Sequence, residues 1–198
     1  MLFPALSIEA RQILAELEQL GPSHDATEPE HARRFLNLER DTAKLVHFLL
    51  LSTRRKRILE IGTSNGYSTI WLAAAAALNG GSVTSIERDA QKQAAAHEHL
   101  QRAGLDESVT LIEGDASTAI MQLAGPFDCV FFDADRISAP EQLSLLLPKL
   151  QGDLLLLADN AISHSSEIAG YITAVEMMPS LTAFIAPVGK GLHVAMRR

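Results

Sequence analysis

The feature that most restricts the fold of this chain is a regular alternation of apolar runs and helical stretches that begins at Lys56. The runs are short, apolar and rich in β-branched residues, as buried strands are, and the stretches between them have the length and apolar spacing of helices. Such alternation is typical of βαβ units, in which right-handed crossovers place helices on both faces of a parallel sheet. The predicted strands are residues 57–61, 82–86, 108–112, 127–132, 154–158, 181–186 and 192–196, the last two joined through residues 187–191 as a closing antiparallel pair.

The segments between and before these strands are predicted to be helices. In the alternating region they are residues 67–78, 90–103, 116–123, 140–150 and 165–177. Before it, residues 7–20 have helical spacing and stop at Gly21 and Pro22, and residues 30–51 form a second helical stretch with a candidate break near 37–41. The sequence therefore predicts an α/β fold with a Rossmann-like, doubly wound, mostly parallel seven-stranded sheet.

The organisation of the chain favours one domain. Its 198 residues are a usual length for a single domain, and no repeat, low-complexity tract or linker is long enough to divide it. We expect residues 1–198 to form one domain, with N-terminal helices over 1–55 and an α/β core over 56–198. This leaves no room for a separate substrate domain, so short loops such as 137–140 and 163–166 must determine specificity.

The composition of the chain limits the classes of partner that it is expected to bind. The chain has 17 Lys and Arg against 24 Asp and Glu, a formal charge of −7, and only 5% aromatic residues. This balance disfavours a general nucleic-acid binder or an aromatic stacking platform for single strands. The sequence has no transmembrane stretch of about 18 to 20 apolar residues and no secretory leader, so a cytoplasmic protein without membrane contact is expected.

Two local features are interpreted as structural. Cys129 is the only cysteine, which excludes an intramolecular disulfide and a cysteine-based zinc cluster, and its apolar surroundings favour a small buried hydrophobe. The basic run at residues 54–57 precedes the first strand, at the edge of the sheet opposite the expected ligand site. We interpret this run as a solvated loop.

Residues that follow the first three strands are suited to a nucleoside. Ligands of such sheets lie beyond the carboxyl ends of the strands. Gly62 and Gly66 permit a tight turn and close backbone approach to a ligand, although the G-x-G-x-x-G spacing of dinucleotide sites is absent. Glu87, at the end of the second strand, is placed to accept the two hydroxyls of a ribose. The tight turn at Asp115 and Ala116 is suited to cover an adenine ring.

Residues that follow the fourth and fifth strands are suited to a metal. Asp133 ends one strand, and Asp159 and Asn160 end the other. Three oxygen ligands around one point would suit a hard cation, Mg²⁺ first, with Mn²⁺ or Ca²⁺ as alternatives. The competing interpretation is helix capping or a turn, which Asp and Asn also favour.

Taken in order, these motifs resemble those of class I S-adenosylmethionine (SAM) methyltransferases. More narrowly, they resemble the cation-dependent O-methyltransferases that include the catechol and caffeoyl-CoA enzymes and small bacterial relatives. The resemblance runs from about Asn37 to the end of the chain. Its most specific elements are IGTSNGYSTIWLA, FFDAD and the later DN pair.

The resemblance implies a role for each matching residue. Asp133, Asp159 and Asn160 would bind a divalent cation. The catalytic residues that we expect are Asp133, Arg136 and His164, of which His164 is chosen by its place in the sequence and not by the resemblance. SAM would be bound by Leu38, Glu60, Gly62, Ser64, Gly66, Ser68, Glu87, Asp115, Ala116 and Asp133.

Three positions depart from the family pattern. Ser64 replaces the middle glycine of the first motif, Ala139 replaces a tyrosine, and Arg136 replaces the lysine that often serves as general base. Arginine stays protonated and cannot accept a proton at neutral pH. We therefore hypothesise that the metal activates the hydroxyl and that Arg136 stabilises the phenolate or pairs with an acidic substrate group. His164 is the nearest candidate base, with a cap or surface histidine as the equal alternative.

The expected activity is methyl transfer from SAM to a metal-chelated hydroxyl of a small catechol-like or polyhydroxy acceptor. A hydroxylated tRNA nucleoside is an alternative acceptor, and a catalytically idle SAM-binding module is an alternative from another class. An NAD(P)-dependent dehydrogenase is disfavoured by the glycine spacing. The helix predicted at 7–20 covers either its own core or a partner subunit, and a homodimer is expected.

Overall fold

The computed structural model describes residues 6–197, in which seven strands form one sheet. The strand order is β3-β2-β1-β4-β5-β7-β6. Strands β1 to β5 are parallel, whereas β7 runs antiparallel to both β5 and β6. This arrangement confirms the predicted α/β fold class and the closing antiparallel pair. The strands are β1 Arg57–Ile61, β2 Ser82–Glu87, β3 Val109–Glu113, β4 Phe127–Phe132, β5 Leu150–Ala158, β6 Thr182–Ala186 and β7 Leu192–Arg197.

Seven α-helices accompany the sheet in the part of the chain that the structure describes. They are α1 Ile8–Thr27, α2 Arg40–Ser52, α3 Tyr67–Leu78, α4 Ala90–Arg102, α5 Ala116–Gln122, α6 Ala139–Leu146 and α7 Ser165–Glu176. Short 3₁₀ helices occupy His31–Arg33, Asp106–Ser108 and Leu147–Lys149. None of the helices within residues 6–197 combines the length and hydropathy that a bilayer crossing requires.

Side chains alternate between two hydrophobic cores, one on each face of the sheet. On β4, Cys129 and Phe131 belong to the core that α1 to α4 cover, and Val130 and Phe132 belong to the core that α5 to α7 cover. Alternation with period two is what a strand buried on both faces requires. Cys129 is fully buried, as expected of a small hydrophobe, and burial raises the pKa of its thiol.

The first helix is longer than its sequence predicts. Gly21 and Pro22 were expected to end it after residue 20, but α1 continues through both to Thr27. Contacts with the segment that follows stabilise the extra turns: Asp25 accepts hydrogen bonds from the backbone N–H groups of Phe35 and Leu36, at 2.7 and 2.9 Å. Tertiary contacts thus override a local stop signal.

The second predicted helix forms only in its C-terminal part. Helix α2 begins at Arg40, within the candidate break, and residues 28–39 are a connector with one 3₁₀ turn. This connector packs on the carboxyl edge of the sheet, where the Ser64 hydroxyl donates to the Phe35 carbonyl at 2.8 Å. The connector therefore becomes part of the wall of the candidate site.

The basic run at residues 54–57 is not simply a solvated loop. Arg55 is 2% exposed, and its guanidinium donates to the Asp153 carboxylate at 2.7 Å. Asp128 accepts hydrogen bonds from the backbone N–H groups of Lys56 and Arg57, at 2.8 and 2.9 Å. A buried guanidinium needs such partners, so part of this run stabilises the edge opposite the candidate site.

Candidate active site

A cavity of about 660 Å³ opens at the carboxyl edge of the parallel strands. The connector at residues 28–39, the turn after β1, the ends of β2 to β5 and the hairpin between β6 and β7 all contribute to its wall. This is where a doubly wound sheet places its ligands. Of the sequence-predicted residues, those on the cavity wall are Leu38, Gly62, Ser64, Ser68, Glu87, Asp115, Ala116, Asp133, Arg136, Asp159, Asn160 and His164.

The turn between β1 and α3 requires its two glycines. Gly62 has φ +103°, and a Cβ atom there would lie 2.4 Å from the backbone oxygen of Asp133. Gly66 has φ +88° and packs against Ala96 of α4, away from the cavity wall. Only glycine adopts such conformations without strain, so this turn can pass close to Asp133 on the neighbouring strand. Gly66 therefore shapes the turn from behind.

Ser64 also takes a left-handed conformation, with φ +48°. This costs a residue with a side chain about 1 kcal/mol or more, and it persists only where the surroundings hold it. Two contacts do so: the Ser64 N–H donates to Glu87 at 2.8 Å, and its hydroxyl donates to the connector. The replacement of the family's glycine is thus compatible with the same turn.

Glu60 lies beneath the turn that follows β1. It is fully buried and is not part of the cavity wall. Its carboxylate accepts hydrogen bonds from the hydroxyls of Ser68, Thr69 and Ser85, at 2.6, 2.5 and 2.6 Å. Burial raises the pKa of Glu60, and these three hydrogen bonds oppose the rise. Glu60 therefore supports the turn from below and orients Ser68, which does line the cavity.

Glu87 has a carboxylate that two backbone N–H groups hold in place. One carboxylate oxygen accepts from the Ser64 N–H at 2.8 Å, and the other accepts from the Asp89 N–H at 3.0 Å. Each oxygen keeps a further lone pair, and the residue lines the cavity. A fixed carboxylate with free acceptor capacity can bind two vicinal hydroxyls. Asp115 caps α5 by accepting from the Thr118 N–H at 2.9 Å, which leaves Ala116 on the wall beside it.

Asp133, Asp159 and Asn160 lie at the ends of neighbouring strands. Phe132 pairs with Ala158 in the sheet, so the residues after them meet at one point of the edge. Asp159 accepts from the Asn160 amide nitrogen at 2.9 Å through Oδ2. Its Oδ1 is buried and has no hydrogen-bond partner within residues 6–197. Since a buried carboxylate oxygen is costly to leave unpaired, this atom is suited to a cation or to a hydrogen-bond donor.

The electrostatics of the pair point the same way. Burial and the adjacent Asp159 raise the pKa of Asp133 well above its usual value, and burial raises the pKa of Asp159 to about 6. Two buried carboxylates that repel each other favour a positive charge between them. The residues described contain no cluster of three or more His, Cys, Asp or Glu suited to a metal; the third oxygen donor here is the Asn160 amide. Oxygen donors of this kind fit Mg²⁺, Mn²⁺ or Ca²⁺.

Arg136 and His164 lie on the same wall. Arg136 contacts Glu167 of α7 through Nε and Nη2, at 2.9 and 2.8 Å, so its charge is already paired. His164 precedes α7, lines the cavity and has its Nδ1 2.8 Å from the Ser163 hydroxyl, with no side-chain cap on the helix. The cap interpretation of His164 therefore loses support, whereas its role as a base stays a prediction.

Comparison with known proteins decides the family. A family model described as O-methyltransferase matches residues 5–181. The chain belongs to the O-methyltransferase family. A catechol O-methyltransferase from Niastella koreensis is 37% identical over 131 residues, which cover 64% of this chain and 59% of that protein. The chain thus spans under two thirds of that relative's length.

Solved structures of O-methyltransferases agree with the family assignment. The enzyme from Bacillus cereus in complex with SAH is 25% identical, has a TM-score of 0.79 and is aligned over 94% of this chain and 91% of its own. TomG from Streptomyces achromogenes, an O-methyltransferase involved in tomaymycin synthesis and solved with SAM, is 26% identical, with a TM-score of 0.80 and coverage of 94% and 89%.

Several wall residues of this O-methyltransferase family member were missed in the sequence. Arg34 and Phe35 come from the connector, Arg88 and Lys92 lie near Glu87, and Lys190 comes from the hairpin between β6 and β7. The sequence of the connector gave no indication that it would line the cavity, because its position depends on tertiary contacts. Lys190 could have been found: β7 pairs antiparallel to β5, so the loop before β7 must reach the edge at which β5 ends.

Proposed function

We propose that this protein transfers the methyl group of SAM to a hydroxyl of a small catechol-like or polyhydroxy acceptor. The observation that carries the proposal is that Glu87 and the group formed by Asp133, Asp159 and Asn160 open into one cavity. Glu87 would bind a ribose. Asp133, Asp159 and Asn160 would hold a cation to which an oxygen of the acceptor binds. Membership of the O-methyltransferase family and the SAM and SAH complexes of similar structures support the choice of cofactor.

The residues proposed to bind SAM, here called the cofactor half of the site, would act by positioning the cofactor. Glu87 would hold the ribose, Asp115 and Ala116 would lie against the adenine, and the turn containing Gly62 and Ser64 would bring backbone close to the methionine end. A sulfonium methyl group is already activated, so alignment with the attacking oxygen is the main contribution asked of the protein. The fixed turn and the hydrogen-bonded Glu87 suit that task.

The acceptor half would hold a hard divalent cation on Asp133, Asp159 and Asn160. When bound there, such an ion would lower the pKa of a coordinated hydroxyl towards neutrality. Three protein oxygens leave room for two substrate oxygens, which favours a vicinal diol over a single phenol. Arg136 stays protonated and cannot accept the proton, and its pairing with Glu167 already offsets part of the charge that it could offer to an anionic oxygen. His164 remains the candidate to accept the proton.

A tRNA acceptor is less well supported by the cavity. Its wall carries Arg34, Arg88, Lys92, Arg136 and Lys190, against the acidic residues Glu87, Asp89, Asp115, Asp133, Asp135 and Asp159. Lys92 is also engaged, since its ammonium group donates to the Arg34 carbonyl at 2.7 Å. A cavity entrance that binds tRNA needs a surplus of positive charge. The near-equal numbers of acidic and basic residues on this wall suit a small molecule instead. A homodimer and a cytoplasmic location stay predictions.

The experiment is turnover of methyl-labelled SAM with catechol, phenol and bulk tRNA as acceptors, in Mg²⁺. We expect label in catechol and little in phenol, because phenol cannot chelate through two oxygens, and little in tRNA, because the cavity wall has no surplus of positive charge. Transfer to tRNA alone would replace the small acceptor by the alternative one. SAM binding without transfer to any acceptor would favour the idle module.

A further inference from the structure

Lys190 belongs to the wall of the cavity, but no role has so far been assigned to it. It lies in the hairpin between β6 and β7, on the same wall as Asp133, Asp159 and Asn160. The hairpin is tied to the loop that follows Asn160: the Lys190 carbonyl accepts from the N–H groups of Ile162 and Ser163, at 2.9 and 3.0 Å. The backbone of Lys190 is thus fixed relative to the candidate metal ligands.

Two cationic side chains, Lys190 and Arg136, act on both Asp133 and Asp159. Of the two, Lys190 makes fewer contacts with other charged groups. Arg136 is paired with Glu167. Lys190 has no carboxylate within 4.0 Å and donates no side-chain hydrogen bond in the part of the chain described here. Burial raises the pKa of both Asp133 and Asp159, and the field of Lys190 opposes that rise at each. Its charge thus acts on this pair from the wall of the same cavity.

Glu39 is the further charged group to consider. Its carboxylate packs beside Gly189, next to Lys190 in the hairpin, and it acts on Asp159 as a like charge. Glu60 acts on Asp133 in the same way, so the local charges are four carboxylates and one lysine, apart from the Arg136–Glu167 pair. This surplus of negative charge gives the positive charge of Lys190 a local counterpart.

We propose that Lys190 is a resident cation of the Asp133–Asp159 pair, which competes electrostatically with a divalent ion and so sets the affinity of the site. The inference rests on the cation site of the proposed function. A divalent ion bound to the two aspartates would lie in the field of a fixed positive charge, whereas the same site without that charge would bind the ion more tightly. Lys190 is thus a positioning residue that acts through Asp133 and Asp159.

The test measures how tightly Mn²⁺ binds to the full chain. Binding is monitored through the electron paramagnetic resonance signal of the free ion. Lys190→Met and Lys190→Gln, which remove the charge, should tighten Mn²⁺ binding about tenfold at low ionic strength and less in high salt. Lys190→Arg retains the charge and should bind like the wild type. Lys44→Met is the matched control, because Lys44 lies on α2 and pairs with Asp41 instead.

Each outcome decides the inference. Tighter binding in both neutral variants, or Mn²⁺ binding that appears only in them, supports it, provided that Asp159→Asn abolishes Mn²⁺ binding and thermal unfolding shows each variant folded. Equal or weaker binding in the neutral variants overturns it, as does no Mn²⁺ binding by any variant. SAH release measured on the same proteins judges methyl transfer separately, so the failure of this inference is distinguishable from failure of the proposed function.

Discussion

Glu87 is the residue on which the cofactor half of the account depends most. Its two carboxylate oxygens are oriented by the Ser64 and Asp89 N–H groups before any ligand is present. Glu87→Gln replaces one acceptor oxygen by an amide that must turn a donor towards an N–H group or a ribose hydroxyl. We expect SAH to bind about 10 to 100 times more weakly, as measured by calorimetry, because hydrogen bonds to a charged group are lost.

A control for this prediction lies one strand away. Glu113 pairs in register with Glu87 at the end of β3 but is exposed and outside the cavity wall. Glu113→Gln should leave SAH affinity unchanged. Equal effects of the two substitutions would mean that Glu87 acts only through general charge, and the ribose assignment would then be wrong.

The buried His193 is expected to reduce the stability of the protein at low pH. It is buried on β7 beside Tyr171, with ring centroids 5.6 Å apart, and neither ring nitrogen has a hydrogen-bond partner within residues 6–197. Burial lowers the pKa of His193, and Glu176 opposes this weakly. The unfolded chain therefore binds the proton more readily, so the free energy of unfolding should fall as the pH drops below about 6.5, by at most about 1.4 kcal/mol per pH unit for this group.

Urea unfolding of wild type and His193→Leu between pH 7.5 and 5 measures this contribution. The variant should show a shallower loss of stability than the wild type. His97 is exposed on α4, and His97→Asn serves as the control that keeps the wild-type slope. Identical slopes for all three proteins would contradict a neutral buried His193.

Several site residues could be predicted because one rule of topology places them. Parallel strands share their carboxyl edge, so Glu87, Asp133 and Asp159 could be assigned to one site from the sequence. The burial of Glu60 beneath the turn could not be predicted, because it depends on hydroxyls from two other elements. Lys190 was missed because it belongs to the antiparallel hairpin, to which the parallel-strand rule does not apply.

At the scale of elements, α1 and the connector act together at the mouth of the cavity. Asp25, near the end of α1, accepts the Phe35 and Leu36 N–H groups, and His24 stacks on Phe35 with centroids 3.8 Å apart. Asp25→Ala leaves both N–H groups without their partner. We expect SAH to bind roughly three to ten times more weakly, because the freed connector must be ordered again on binding.

The matched control for Asp25 is Asp41→Ala, which removes an exposed ion pair with Lys44 on the neighbouring helix. It should leave SAH affinity as it is, since such pairs contribute at most about 1 kcal/mol to stability. Limited proteolysis should cleave the Asp25→Ala connector sooner. Unchanged affinity together with unchanged cleavage would contradict a role of α1 in holding the connector.

The elements show where sequence patterns suffice. Strands β1 and β4 and helix α3 match the predicted residues at both ends, because each is bounded by residues with clear turn or strand chemistry. The end of α1 and the start of α2 could not be predicted. Gly21 and Pro22 are local stop signals, and only contacts with residues far along the chain, such as Asn37, whose amide donates to the Leu17 carbonyl at 2.9 Å, oppose them.

At the scale of the whole molecule, the sheet order explains how one edge can serve two ligands. Strand β1 lies between β2 and β4, so the turn after β1 has Glu87 on one side and Asp133 on the other. The neighbouring β5 and β7 add Asp159, Asn160 and the hairpin. The fold class was therefore enough to predict that Glu87 and Asp133 flank one turn at this edge, whereas the rest of the cavity wall depends on loops.

The most direct test of the account is the rate of SAH formation from SAM and catechol as Mg²⁺ is added back to EDTA-treated protein. The wild type should be nearly inactive in EDTA and should recover along a saturable curve, whereas Asp159→Asn should bind SAH normally and stay inactive, because it retains the cofactor half and loses a cation ligand. A rate in EDTA equal to that in Mg²⁺, or wild-type turnover by Asp159→Asn, would contradict the claim that Asp133, Asp159 and Asn160 activate the acceptor through a metal.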